Sequence, residues 1–276
     1  MTSGASATRH LSNCEVMAND EVAPEQWRMR LHAPEIAAEA KPGQFCMLLT
    51  NPTLYPFLRR PMCFEQIFDQ EVTILYKVEG EGTALMAALR PGGRIQVQGP
   101  LGVGFDMDDA PYARHILVAG GIGVASFPCL ARALVDRGVV PEVIIAARHA
   151  HLILCEDYFR ELGCDVYIAT DDGSLGEQAF ACDVLARLKP DPDTRVYACG
   201  PMVMMKTTSD AAITAGANCV VSLEAQMACG DGACLGCVVE STEETEGEAM
   251  VRVCVDGPVF DTSRIDWAAH NLAYAP

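Results

Sequence analysis

His115-Ile116-Leu117-Val118-Ala119-Gly120-Gly121-Ile122-Gly123-Val124-Ala125 is the stretch on which the fold turns. Residues 115–119 form a short apolar run that predicts a buried strand, and the glycines after it predict a turn into a helix reaching about residue 137. A strand that passes through a glycine turn into a helix can present backbone N–H groups to a dinucleotide pyrophosphate. The match to G-x-G-x-x-G is incomplete, because Ser126 occupies the place of the last glycine.

Working outward toward the C-terminus, strands are predicted at 142–147, 165–170 and 195–198. They alternate with helical stretches at about 155–162, 181–188 and 202–215. Strand alternating with helix indicates a parallel sheet covered on both faces. No acidic residue ends the second strand, which runs into Arg148-His149. Asp171 and Asp172, after the third strand, could stand in as ribose-binding carboxylates or could cap the Asp-Gly-Ser turn. Cys199-Gly200-Pro201 closes the fourth strand at the carboxyl edge, where open α/β sheets bind ligands. Taken by type alone, Cys199 is a buried thiol.

Toward the N-terminus the first hundred residues read as β. Residues 26–31 alternate polar and apolar, and Val72, Ile74, Tyr76 and Val78 share one face while Thr73, Leu75 and Lys77 take the other. Turn residues recur at Lys41-Pro42-Gly43, Pro91-Gly92-Gly93 and Gly99-Pro100-Leu101-Gly102, a spacing that predicts an antiparallel barrel. Leu58-Arg59-Arg60-Pro61-Met62-Cys63-Phe64 sets arginines beside a turn-restricting proline, which suits a phosphate; an exposed arginine pair would look the same. Glu79-Gly80-Glu81-Gly82-Thr83 leads into a short helix that Thr83 is expected to N-cap.

Near the C-terminus, Cys229-Gly230-Asp231-Gly232-Ala233-Cys234-Leu235-Gly236-Cys237 carries three cysteines spaced C-x4-C-x2-C, and Cys254 follows seventeen residues after Cys237. This is the ligand spacing of a plant-type [2Fe–2S] cluster. Four thiolates could also hold zinc, although zinc ligands usually come as two short pairs. A disulfide framework fits poorly with a chain that reads as reduced. Residues 240–248 are acidic and are expected to form an exposed turn between the loop and Cys254.

Composition narrows the function class. The chain has 276 residues, half of them apolar, enough for two or three cored domains. Thirteen cysteines without a secretory leader indicate a cytoplasmic, reducing setting. Those outside the cluster pattern, including Cys129, Cys155, Cys164, Cys182 and Cys219, read as small buried hydrophobes. The net charge of −17 weighs against nucleic-acid binding. The longest apolar stretch, 116–135, is broken by Gly120, Gly121, Gly123, Pro128 and Arg132, unlike a membrane span.

Together these residues resemble the electron-transfer subunits of the two-subunit, NAD-dependent dihydroorotate dehydrogenases, a branch of the ferredoxin reductase-like flavoproteins. The most specific pieces are 58–61, 99–105, 199–201, the cysteine loop and 254–260. The resemblance implies a multidomain β plus α/β fold: an FAD-binding β-barrel over 1–110, a Rossmann-like NAD domain over 111–222 and a small [2Fe–2S] domain over 223–276. It also implies site roles. Arg60, Pro61, Met62 and Cys63 would contact FAD, with Arg60 on the phosphates and Cys63 near the isoalloxazine; Leu75, Tyr76, Lys77, Gly82 and Thr83 would complete that site. Gly120, Gly121, Ile122, Gly123 and Val124, with Cys199, Gly200 and Pro201, would face the nicotinamide nucleotide. Cys229, Cys234, Cys237 and Cys254 would hold the cluster, and no side chain is assigned as a general acid or base.

The implied activity is a relay from a partner FMN-containing catalytic subunit, through [2Fe–2S] and FAD, to NAD⁺ in pyrimidine biosynthesis, within a complex of two plus two subunits. The family usually has serine where Cys63 stands, and its glycine turn begins with glycine and closes on proline where this chain has Ala119 and Ser126. Two alternatives remain at this level. One is the flavin and iron–sulfur subunit of an NADH-dependent ferredoxin:NADP⁺ oxidoreductase or sulfhydrogenase-type complex. The other is a zinc-binding regulatory protein.

Overall fold

The computed structural model describes residues 9–51, 53, 55–107, 112–245 and 248–270. The N-terminal part contains β1 (His10–Ala23), β2 (Gln26–His32), α1 (Pro34–Glu39), β3 (Phe45–Leu49), β4 (Arg60–Cys63), β5 (Gln66–Ile67), β6 (Glu71–Lys77), α2 (Glu81–Ala87) and β7 (Arg94–Leu101). Its seven strands form one antiparallel sheet, ordered β4-β3-β7-β1-β2-β6-β5. The sheet curls as an open half-barrel around Val16, Met29, Leu31, Leu48, Phe64, Val72, Ile74 and Tyr76. The alternation in β6 decides more than its own position. Ile74 and Tyr76 face the barrel core, whereas Leu75 packs with Phe105 and with Leu117 and Val124 of the following unit. Both faces of β6 are therefore buried, and its outer face forms the seam between the two units.

The next part runs β8 (Arg114–Gly120), α3 (Pro128–Val135), β9 (Glu142–Ala147), α4 (Glu156–Glu161), β10 (Asp165–Thr170), α5 (Ala181–Leu188), β11 (Thr194–Cys199), α6 (Met202–Thr214) and β12 (Asn218–Ser222). The helix expected directly after the glycine turn begins later. Gly121–Ser126 is a 3-10 turn, and Pro128, which has no N–H to donate, stands in the first position of α3. Five parallel strands take the order β10-β9-β8-β11-β12, so the direction in which successive strands are added reverses between β8 and β11. That reversal opens a crevice at the carboxyl ends of these two strands, the usual ligand position in such sheets.

The cysteine-rich segment adds the hairpin β13 (Val238–Thr245) and β14 (Glu248–Arg252), then β15 (Val259–Asp261). The acidic stretch expected to be a turn is mostly strand: Val238, Val239 and Glu240 pair with Arg252, Val251 and Met250. β15 does not stay with the hairpin. It pairs antiparallel with β12, Val221 opposite Phe260, and becomes the sixth strand of the parallel sheet. Among the described residues, no helix is long and apolar enough to cross a membrane.

Candidate functional site

The crevice between β8 and β11 brings together two segments 80 residues apart in sequence. Gly200 has φ +148°, and a Cβ there would lie 2.8 Å from the Gly120 Cα and 2.8 Å from the Gly120 carbonyl oxygen. Only glycine at both places lets the turn and the Cys199-Gly200-Pro201 segment touch backbone to backbone. Gly120, Gly121, Ile122, Gly123 and Val124 thus share one wall with Cys199, Gly200 and Pro201.

The opposite wall is the edge strand β4. Arg60 and Gly82, read separately in the sequence, meet here: a Cβ on Gly82 would overlap the Arg60 guanidinium. The Arg60 Nη1 donates to the Leu58 carbonyl. Next to it, Arg59 donates through Nη2 to Gln96 Oε1, while its Nη1 is buried with no partner among the described residues. One guanidinium beside a Cβ-free position, with an orphan donor on the neighbouring arginine, fits a diphosphate. Thr83 does not N-cap α2 as expected. Gly80 is the N-cap residue, and Thr83, one turn inside, accepts from the backbone N–H groups of Glu79 (3.0 Å) and Gly80 (3.2 Å).

In the 75–77 segment, Tyr76 turns its ring into the barrel and donates to Asn19 Oδ1 at 3.0 Å. Leu75 is buried in the seam, and Lys77 pairs with Glu79 at 2.9 Å. What Tyr76 can offer the crevice is its backbone.

Cys63 on β4 and Cys199 on β11 approach the crevice from its two walls. Ser126 stands between them. Its hydroxyl lies 3.3 Å from the Cys199 Sγ and sits close enough to Cys63 to act on that thiol. Burial pushes the Cys63 thiol up to about 12, partly offset by the Ser126 hydroxyl, and burial raises Cys199 as well. Glu224, just beyond β12, is solvent-exposed but carries charge close enough to act on both thiols; desolvation by the surrounding protein, then the nearby Glu79, raises its own pKa. Sequence reasoning missed Ser126 and Glu224 as crevice residues. Ser126 was visible only as a departure from the glycine pattern.

At the adenosine end of such a sheet, Asp172 is already engaged. Its carboxylate accepts from Ser174 N (3.0 Å), Ser174 Oγ (2.6 Å) and His149 Nδ1 (2.9 Å), and these bonds, led by those of Ser174, hold its pKa well below the usual range. Asp172 thus fills the turn-capping role. Cys155 proves to be more than a buried hydrophobe. Its thiol donates to Glu65 Oε1 at 3.5 Å, where Glu65 is fully buried and bound by Arg28 through Nε (2.9 Å) and Nη2 (2.7 Å). The cluster ties the half-barrel to the start of α4.

The four C-terminal cysteines come together as two pairs. Cys229 acts on the ionisation of Cys234, and Cys237 on that of Cys254. Among the described residues no three His, Cys, Asp or Glu side chains gather as they would on a single ion. Two pairs of thiolates suit a two-iron centre, in which each iron takes two cysteines. The loop backbone points inward, with Asp231 N and Cys234 N directed at Cys229 Sγ (3.5 and 3.4 Å) and Gly236 N at Cys234 Sγ (3.4 Å). The Gly236 N–H foremost, then the backbone and side chain of Cys229, lower Cys234 to about 7, while burial raises Cys254 to about 12. Cys237 and Cys254 are buried and Cys234 is exposed. Gly230 lies against Met47 and Leu101, seating the loop on the half-barrel.

A curled antiparallel sheet, a parallel sheet with a switch-point crevice and a paired-thiolate loop define a ferredoxin reductase-like oxidoreductase. Residues 224–266 match the family described as the iron-sulfur cluster binding domain of dihydroorotate dehydrogenase B. The "Dihydroorotate dehydrogenase B (NAD(+)), electron transfer subunit" of Desulforamulus reducens is 36% identical over 258 residues, covering 92% of this chain and 98% of that protein. The protein of the same description from Streptococcus thermophilus is 37% identical over 258 residues, with 92% and 98% coverage. This chain belongs to the family of dihydroorotate dehydrogenase B electron transfer subunits. A solved structure described as "Insights into flavin-based electron bifurcation via the NADH-dependent reduced ferredoxin-NADP oxidoreductase structure" superposes with a TM-score of 0.82 at 27% identity, covering 93% of this chain and 91% of its own. A ferredoxin NADP+ reductase from Neisseria gonorrhoeae with bound FAD and NADP shares the fold, with a TM-score of 0.65, 17% identity and coverage of 75% and 92%.

Proposed function

We propose that this chain is the electron-transfer subunit of an NAD-linked dihydroorotate dehydrogenase, paired with an FMN-containing catalytic subunit as a two-plus-two complex in the cytoplasm. FAD, which exchanges electrons singly or as a hydride pair, and a [2Fe–2S] cluster, which exchanges them singly, supply the redox chemistry when bound. The chain's own residues bind and orient. Arg60, beside Gly82 and with Arg59 as neighbour, holds the FAD diphosphate, while Pro61, Met62 and Cys63 line the ring side and the backbone of 75–77 and Thr83 complete the cradle. The glycine turn 120–124 and Cys199-Gly200-Pro201 receive the nicotinamide nucleotide across the crevice. Cys229, Cys234, Cys237 and Cys254 ligate the cluster. Residues 1–110, 111–222 and 223–276 divide these tasks between them, with the last lending β15 to the sheet of the second.

The observation that carries this reading is the cysteine loop itself, whose backbone N–H groups point at the Cys229 and Cys234 sulfurs while Gly230 seats it directly on the half-barrel. The exposed side of that loop, with Cys234 and with Leu235 at 58% exposure, gives the catalytic subunit a surface to dock on. All thirteen cysteines are free, which supports a reducing compartment. The test is to purify the chain with its candidate catalytic subunit and assay NAD⁺-dependent orotate formation. A flavin-loaded complex that contains iron and acid-labile sulfide and makes orotate is the expected result. An active complex without acid-labile sulfide, or an inactive one with both cofactors loaded, refutes the reading.

A further inference from the structure

Ser126 is 3% exposed and belongs to the 3-10 turn of the sheet unit, yet its hydroxyl lies 3.3 Å from the Cys199 Sγ and also acts on the Cys63 thiol of the opposite wall. Ser222, at the end of β12, acts on the Cys199 thiol in turn. A chain of four polar side chains, Cys63–Ser126–Cys199–Ser222, therefore crosses from β4 of the half-barrel to the far side of the switch point. A hydroxyl has one proton to donate and two lone pairs to accept with, whereas a thiol is weak in both roles. Ser126 can donate to one sulfur and accept from the other, which neither cysteine could do as well for its neighbour.

We propose that Ser126 is a positioning residue for the redox site: it fixes the Cys63 and Cys199 thiols across the crevice and orients Cys63 toward the flavin edge. The chain's hydrogen-bonding hydroxyl at this edge resides on the sheet unit, at 126, and acts through the thiol on the half-barrel, at 63. The assignment rests on the reading of Cys63 as a flavin neighbour, and the test separates the two.

Alkylation rates of Cys63 and Cys199 by iodoacetamide, mapped by mass spectrometry, are compared in wild type, Ser126→Ala, Cys63→Ser and the double variant, with and without FAD. Loss of the Ser126 donor leaves each thiolate without its hydrogen bond, so at fixed alkaline pH both cysteines in flavin-free Ser126→Ala react about three- to tenfold more slowly, the worth of one such bond. A side chain that merely fills space would give the opposite sign, because removing it loosens the site and speeds alkylation. In FAD-loaded protein, Ser126→Ala shifts the flavin reduction potential, and the shift shrinks when position 63 is serine and supplies its own strong donor. Unchanged or faster alkylation in Ser126→Ala overturns the thiol linkage. Strict additivity of the two substitutions in flavin potential overturns the link to the flavin edge. If FAD does not slow alkylation of Cys63 in wild type, the placement of Cys63 beside the flavin falls, while the flavin-free rates still decide the linkage.

Discussion

Replacing Gly82 with alanine separates the stability of the half-barrel from its hold on the flavin. Gly82 is the second residue of α2, and its backbone lies outside the left-handed region. Alanine is therefore tolerated by the chain and adds up to about 1 kcal/mol of helix propensity, less so close to the helix end. The new methyl group overlaps the Arg60 guanidinium, the far end of a flexible side chain, so the arginine swings away and the fold persists. The displaced guanidinium forfeits a charge-assisted hydrogen bond to phosphate, about 1.5–3 kcal/mol, which corresponds to FAD binding about 10- to 150-fold weaker. Thermal unfolding of the flavin-free protein, together with a fluorescence titration of FAD, reads both effects. Arg60→Ala serves as the control, weakening FAD to the same degree without the gain in helix propensity. An unchanged FAD affinity in Gly82→Ala, with the melting temperature raised, would mean that the guanidinium seated on Gly82 is not the phosphate ligand.

Cys234→Ser is expected to abolish the cluster and transfer to the catalytic subunit while NADH still bleaches the flavin; unchanged coupled turnover in stopped-flow and steady-state assays contradicts the proposed ligand set. Arg28→Met leaves the buried Glu65 carboxylate without its ion-pair partner, which costs about 3–5 kcal/mol in urea unfolding, and Arg28→Met/Glu65→Met recovers most of it; a loss under about 1 kcal/mol would show that Glu65 does not depend on Arg28 for its charge. His115 should make the protein acid-sensitive. Burial lowers its pKa below 6.5, and as the neutral ring it accepts from the Tyr197 hydroxyl (3.0 Å) and donates to the Tyr112 carbonyl (3.2 Å). Folding therefore favours the uncharged form, so this contribution is complete above about pH 6.5 and falls as pH drops toward the folded pKa. Melting scans in that window show a decline that His115→Gln reduces; an identical decline in the variant refutes it.

The sequence made local features legible and long-range ones opaque. The cysteine loop could be read because its ligand spacing lies within nine residues, β6 because it declares its alternation over seven, and β9 and β10 because each is a short run set between helical stretches. The contact between Ser126 and Cys199 spans 73 positions, and the seat of Arg60 on Gly82 depends on how far the sheet curls; neither leaves a periodic trace. Cys155 carries no sign of Glu65 in its neighbours, since the bond crosses 90 residues. The start of α3 was misplaced because a glycine turn signals a helix but not the 3-10 geometry that comes first. β12 and β15 escaped notice because both are short; β15 has only three residues and acquires strand geometry from the edge it joins.

That edge has a mechanical meaning. Residues 223–258 leave the sheet at the end of β12 and return to it alongside the same strand, with the Leu223 N–H donating to the Pro258 carbonyl at 2.9 Å across the neck. The cysteine loop is thus an excursion sewn down at both ends, not a bead on a string. An electron carrier on such a mount cannot commute between donor and acceptor by swinging. The distance it must bridge is set when the chain folds, and any gating has to come from the subunit that docks against it.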